Sequence, residues 1–189
     1  MTAHRIHCPL NGLTPVDPQK DAVRVIIETP KGSRNKFKFD AELGLFRLGS
    51  VLPAGAVFPY DFGFVPGTRA DDGDPLDVLL LLDVPTFCGC LVLARLIGVI
   101  EAEQTEDGET CRNDRLVAIA CKAKDYQQIE SLKDLDKNLL DEIEYFFVSY
   151  NKSRGREFKL LEHRGPGHAQ ELLREKTVRR RRKKSSASA

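Results

Sequence analysis

The sequence predicts an α+β fold in which a small β-barrel is followed by helices. Residues 21–123 break into short β-branched or alternating runs separated by turn signals, the pattern of a small closed or nearly closed sheet. Beyond about residue 135 the apolar period lengthens to three and four, as on an amphipathic helix. Between these regions the unbroken apolar run at residues 78–82 reads as a strand buried on both faces.

Taken in chain order, "AVRVIIET" (22–29) is β-branched and predicts the first long strand. "KFKFD" (36–40) alternates strictly, which places Phe37 and Phe39 on one face and the ammonium groups of Lys36 and Lys38 together on the other. "GLFRL" (44–48) follows Ala41 and Glu42 as its hairpin partner. "LVLARLIGVIEAE" (91–103) and "RLVAIAC" (115–121) are two further strands, with Asp107-Gly108 as a hairpin turn between them. Leu139, Ile143, Phe146, Phe147 and Tyr150 then define a helix over residues 135–152 that stops near Gly155. "REFKLL" (156–161) returns as a strand, and "HAQELLREKTV" (168–178) forms a second helix after Gly165-Pro166-Gly167.

At 189 residues the chain suits one domain, residues 1–178, with a disordered basic tail at 179–189. The net charge of +1 conceals an asymmetry: residues 179–184 supply six of the 29 basic groups, leaving 23 against 28 acidic groups in the body. An acidic body without tryptophan argues against a surface for single-stranded nucleic acid, except through the tail. Cys8, Cys88, Cys90, Cys111 and Cys121 are odd in number and lack disulfide or zinc spacing, so a reducing cytoplasm is expected. His4, His7 and Cys8 read as terminal residues rather than a metal site, and His163 and His168 as surface loop residues. Arg95 interrupts the longest apolar stretch, so no membrane-spanning segment is expected.

The densest chemical signal is "DDGDPLDV" (71–78), four carboxylates in seven positions leading into the buried strand. Carboxylates this close repel and raise one another's pKa unless a cation sits among them. Gly73 and Pro75 mark a turn, and Asp72, Asp74 and Asp77 can turn their oxygens toward one point. Hard oxygen donors suit Mg²⁺, Mn²⁺ or Ca²⁺, while EF-hand spacing is excluded because Leu76 and Asp77 fall on the wrong places.

With these acids arranged around "DGDPLDV", the sequence resembles the soluble family I inorganic pyrophosphatases. "FPYDFGFVPGT" (58–68), "GCLVLARLIGVIEAE" (89–103) and "EIEYFFVSYNK" (142–152) extend the likeness, in order, over about residues 22–162. The resemblance implies a five-stranded OB-like β-barrel flanked by two α-helices, Mg²⁺-dependent hydrolysis of pyrophosphate and a homo-oligomer, and the oxygen donors admit Mn²⁺ in place of Mg²⁺. It further implies Asp72 and Asp77 as metal ligands, with Asn113 where a ligand aspartate is usual, and Asp74 as general base. Lys36, Tyr150 and Arg115 match substrate-binding positions, Glu28 the acid on the first long strand, and Lys152 stands beside Asn151, where a lysine is usual. Such chemistry has a physical logic, because two divalent ions neutralise a polyanion and lower the pKa of a shared water.

Departures from the family pattern are numerous. Ser50 replaces an arginine, Phe58 and Phe62 replace tyrosines, Gln104 and Asn113 replace aspartates, and Lys38 replaces an acid. Carboxylates and cations are lost together, so local charge is expected to stay near balance. Lys38, on the same strand face as Lys36, is expected to reach the same anion and to supply charge that a further metal ion otherwise provides. Two other functions remain open: a weak or inactive relative with a binding or regulatory role, and an OB-type nucleic-acid-binding module.

Overall fold

The computed structural model describes residue 10 and residues 12–178. The elements are β1 (Val16–Asp17), β2 (Ala22–Thr29), β3 (Asn35–Asp40), β4 (Leu45–Val51), β5 (Asp61–Phe64), β6 (Asp77–Leu81), β7 (Leu91–Glu106), β8 (Glu109–Arg112), β9 (Arg115–Ala120), α1 (Lys137–Lys152), β10 (Glu157–Arg164) and α2 (Pro166–Lys176). The expected basic tail, and His4, His7 and Cys8, lie outside the described residues.

β6 is buried because both of its edges and both of its faces are covered. It lies between β5, antiparallel, and β9, parallel, and Val78, Leu79, Leu80 and Leu81 are at most 1% exposed. That arrangement requires the continuous apolar run seen in the sequence. From β9 the ladder passes to β7, and β7 also pairs with β2, which pairs with β5. The hydrogen-bonding path β2-β5-β6-β9-β7 therefore returns to its start, with β1 and β10 added outside it. Ile26, Ile27, Ile97, Ile100, Leu116 and Ile119 fill the core.

The Asp107-Gly108 turn has both residues at positive φ, 51° and 83°, as a tight two-residue hairpin demands. It joins β7 to β8, a short strand not separately expected, and only after a break at Asn113 and Asp114 does β9 return along β7. β5 is likewise new. Its brevity hides any alternation, and Gly63 has no side chain because a Cβ there would lie 2.0 Å from the Ile26 carbonyl oxygen.

β3 and β4 form a separate two-stranded sheet tied to β2 by side chains. Thr29 Oγ1 accepts from the Phe37 N–H at 3.1 Å, Glu28 Oε1 accepts from the Phe39 N–H at 2.7 Å, and Phe39 stacks on Phe64. α1 begins at an Asp136 cap and lays Ile143 and Phe147 on the core, where Phe58, Phe62, Phe146 and Phe158 complete an aromatic cluster. α2 starts two residues earlier than expected because Pro166 occupies its first turn, where a missing N–H costs no helix bond. His163 and His168 stand in β10 and α2 rather than in loops, and His163 Nε2 meets Glu144 at 2.5 Å.

Candidate active site

The acidic turn is built from its own side chains. Asp72 Oδ1 accepts from the Asp74 N–H at 3.1 Å, Gly73 takes φ 88°, and the Ala70 N–H donates to the Asp74 carbonyl at 2.7 Å. Thr68 anchors the turn from below, its Oγ1 accepting from the Leu76 N–H at 2.9 Å and donating to the Val65 carbonyl at 2.7 Å. Asp71 points elsewhere and binds Lys176 of α2 at 2.5 Å. Of the four clustered carboxylates, Asp72, Asp74 and Asp77 line one cavity of about 290 Å³.

The same cavity is lined by Lys36 and Lys38 from β3, Arg47 and Ser50 from β4, Gln104 from β7, Asn113, Arg115 from β9, Tyr150 and Asn151 from α1, and Arg154 and Arg156 beyond it. Five elements distant in sequence thus bring most of the expected site together. Glu28 stands one layer back, lining an adjoining cavity of about 220 Å³ with Lys38, Asp74 and Asp77. Lys152 is exposed on α1 and lines neither cavity.

Six cationic side chains and three carboxylates line the cavity, and Asp40 and Glu106 behind it pair with Arg47 and Arg156. Arg47, Arg154 and Arg156 are the cations that the sequence reading lacked. Arg47 could have been found from the hairpin register, which sets it opposite Lys38, and Arg154 from its place four residues after Tyr150.

Each carboxylate has a distinct environment. Lys38 Nζ binds Asp74 Oδ2 at 2.7 Å and lines the same cavity as Lys36. Asp74 in turn is the main cause that raises the Lys38 pKa. Arg115 Nη1 binds Asp77 Oδ2 at 2.7 Å and also donates to Asn113 Oδ1, while Asn113 Nδ2 donates to Gln104 Oε1 at 2.8 Å. The guanidinium lies within 5.6 to 5.9 Å of the Phe62, Phe147 and Phe158 ring centres, leaving Nε buried without an acceptor among the described residues. Burial pushes the Asp72 carboxyl up, and the charges of Asp77 and Asp74 add to that, against the Asp74 N–H and Arg115. Mutual repulsion of this kind is relieved by a cation, and the donor chemistry of Asp72, Asp77, Asn113 and Gln104 fits a hard divalent ion. Among the described residues no three carboxylate, histidine or cysteine side chains converge as a ready-made metal cage.

Glu28 is 8% exposed and its carboxyl is raised to about 7, chiefly by burial, with Asp77 adding and the Phe39 N–H opposing. The unfolded chain releases this proton near 4.5, so between 4.5 and about 7 the folded protein holds more protons and stability falls as pH rises. The contribution is fully present below the lower value. In metal-free protein the loss is on the order of 3 kcal/mol. Urea unfolding at about pH 5 and about pH 8 should show it in wild type and largely abolish it in Glu28→Gln, which keeps an acceptor for Phe39. Equal pH dependence in both proteins would remove Glu28 as its source.

Comparison with known proteins agrees with this geometry. The family model described as inorganic pyrophosphatase matches residues 25–181. An inorganic pyrophosphatase of Synechocystis sp. is 42% identical over 136 residues, 72% of this chain and 78% of that protein. One from Nostoc sp. is 43% identical over the same shares. The crystal structure of the inorganic pyrophosphatase from Thermus thermophilus superposes with a TM-score of 0.79 at 30% identity, covering 89% of this chain and 96% of the other. A match that spans the acidic turn, the lysine-bearing strand β3 and α1, in a shared α+β architecture, leads to one conclusion: the chain belongs to the soluble family I inorganic pyrophosphatases and is a hydrolase of that family.

Proposed function

We propose that the protein hydrolyses inorganic pyrophosphate to two orthophosphates with the help of Mg²⁺, or of Mn²⁺. The observation that carries this reading is the single cavity lined by three carboxylates and six cationic side chains, a surface with groups for both a polyanion and divalent cations. Asp72 and Asp77, with Asn113, would hold the metal, which when bound supplies Lewis acidity and a more acidic water. Asp74 accepts the water's proton at Oδ1, which has no partner among the described residues while Oδ2 holds Lys38. The water oxygen joins one phosphorus and the bond from that phosphorus to the bridging oxygen breaks. Lys36, Lys38, Arg115 and Tyr150 line the same cavity and would stabilise the negative charge of the departing phosphate. Glu28 acts through β3, whose Phe39 N–H it holds, and so keeps the two lysines over the cavity.

The returning ladder supports reading the main sheet as the five-stranded OB-like barrel. Exposed Leu45, Leu48 and Val51 on β4, with Phe87, support a homo-oligomer, and free cysteines support a cytoplasmic location. No described helix is long and apolar enough to cross a membrane. Residues 1–178 are then the catalytic domain and 179–189 an appendage. A nucleic-acid module is disfavoured, since the cations gather in a carboxylate-lined cavity rather than along an open aromatic surface. Phosphate release from pyrophosphate, with Mg²⁺ and with chelator, tests the proposal: metal-dependent release is expected, whereas binding without release would favour the inactive relative.

A further inference from the structure

Four of the six cations in the cavity already have a carboxylate. Lys38 pairs with Asp74, Arg115 with Asp77, Arg156 with Glu106 at 2.7 Å and Arg47 with Asp40 at 3.5 Å. Lys36 and Arg154 have none among the described residues, and both lie against one ring: Lys36 Nζ is 5.2 Å and the Arg154 guanidinium carbon 5.5 Å from the Tyr150 centre. Arg154 is held in place by neutral groups. Its Nη1 donates to Ser50 Oγ at 2.8 Å and to Tyr150 Oη at 3.2 Å, which leaves Nε and Nη2 with no partner among the described residues. Two unneutralised cations that line one cavity beside the same ring, with free N–H groups, form an anion site, and a planar guanidinium matches the oxygens of a phosphoryl group.

We propose that Arg154 is a substrate-binding residue, taking one terminal phosphoryl group of pyrophosphate jointly with Lys36 while Ser50 and Tyr150 position its guanidinium. This rests on the pyrophosphatase reading of the cavity and adds to it a residue supplied by the turn after α1. Residue 50, where the family resemblance leads one to expect an arginine, is the residue that Arg154 touches. The positive charge has moved to another element while its place in the cavity is kept.

Calorimetric binding of methylenediphosphonate, a non-hydrolysable pyrophosphate mimic, in the presence of Mg²⁺ tests the assignment. Wild type should bind, Arg154→Ala should bind roughly 10- to 100-fold more weakly, the range for losing a charged hydrogen-bonding partner, and Ser50→Arg/Arg154→Ala should recover most of that loss. Unfolding midpoints should stay the same in all three, since the side chain is exposed. Arg154→Ala within about twofold of wild type overturns the proposal, and a folded double variant no better than Arg154→Ala overturns the placement at residue 50. Absence of binding by wild type would sink the pyrophosphate reading and this inference with it.

Discussion

Asp74→Asn is expected to lower turnover by roughly 10²- to 10⁴-fold, the usual contribution of a positioned general base, with KM changed only severalfold. The structural reason for expecting so clean a kinetic effect is exposure. The side chains of Lys38 and Asp74 are 47% and 57% exposed, so their ion pair contributes less than about 1 kcal/mol to stability and its loss leaves the fold intact. The acidic turn survives as well, because it is held by the Asp74 backbone, whose N–H and carbonyl bond to Asp72 and Ala70. Steady-state kinetics at saturating Mg²⁺ decides the matter. Near-normal turnover in a folded Asp74→Asn protein would take this carboxylate out of the chemistry.

Asp77→Ala should do something different, unfolding the protein more easily as well as silencing it. Arg115 is 9% exposed at its side chain, and among the described residues its Nε has no acceptor and its one carboxylate is Asp77. Three aromatic rings surround the charge, and their attraction does not replace a counter-ion. Removing Asp77 should therefore cost roughly 3 kcal/mol, the low end for breaking a buried pair, because the Asp77 side chain keeps 26% exposure. The measurement is urea unfolding in metal-free buffer, which separates the ion pair from any lost metal ligand. Asp77→Leu/Arg115→Met should recover much of the stability without recovering turnover. If the single variant unfolds at the wild-type midpoint, the buried guanidinium is supported by something other than Asp77.

Much of this molecule is legible in one dimension. The long strands, the α1 face and the acidic turn each rest on a local pattern: a continuous apolar run, a three-and-four period, a turn with aspartates around Gly73. Asp72, Asp74 and Asp77 could be selected for the same reason, since their spacing carries chemical meaning without reference to any other part of the chain, whereas Lys36 is selected through the family resemblance. β5 escaped notice because four residues with a glycine in the middle are too few to show a period, and β8 because the Asp107-Gly108 turn marks a hairpin without saying how long its second arm is.

The amino-acid sequence by itself determined the α+β class, the acidic turn and the family resemblance, because these depend on the order of neighbouring residues. Tertiary structure alone decided which charges neutralise which. Lys38 and Asp74 are 36 positions apart, Arg154 and Ser50 104, and Arg115 reaches Asp77 only because β9 runs parallel beside β6. Charge in a cavity is a sum over everything that faces it, and a linear reading weighs each residue against its neighbours in the chain. That is why the pairing of charges could not be read in sequence, and why Lys36 and Arg154, far apart in the chain, come together beside Tyr150 with no carboxylate partner among the described residues.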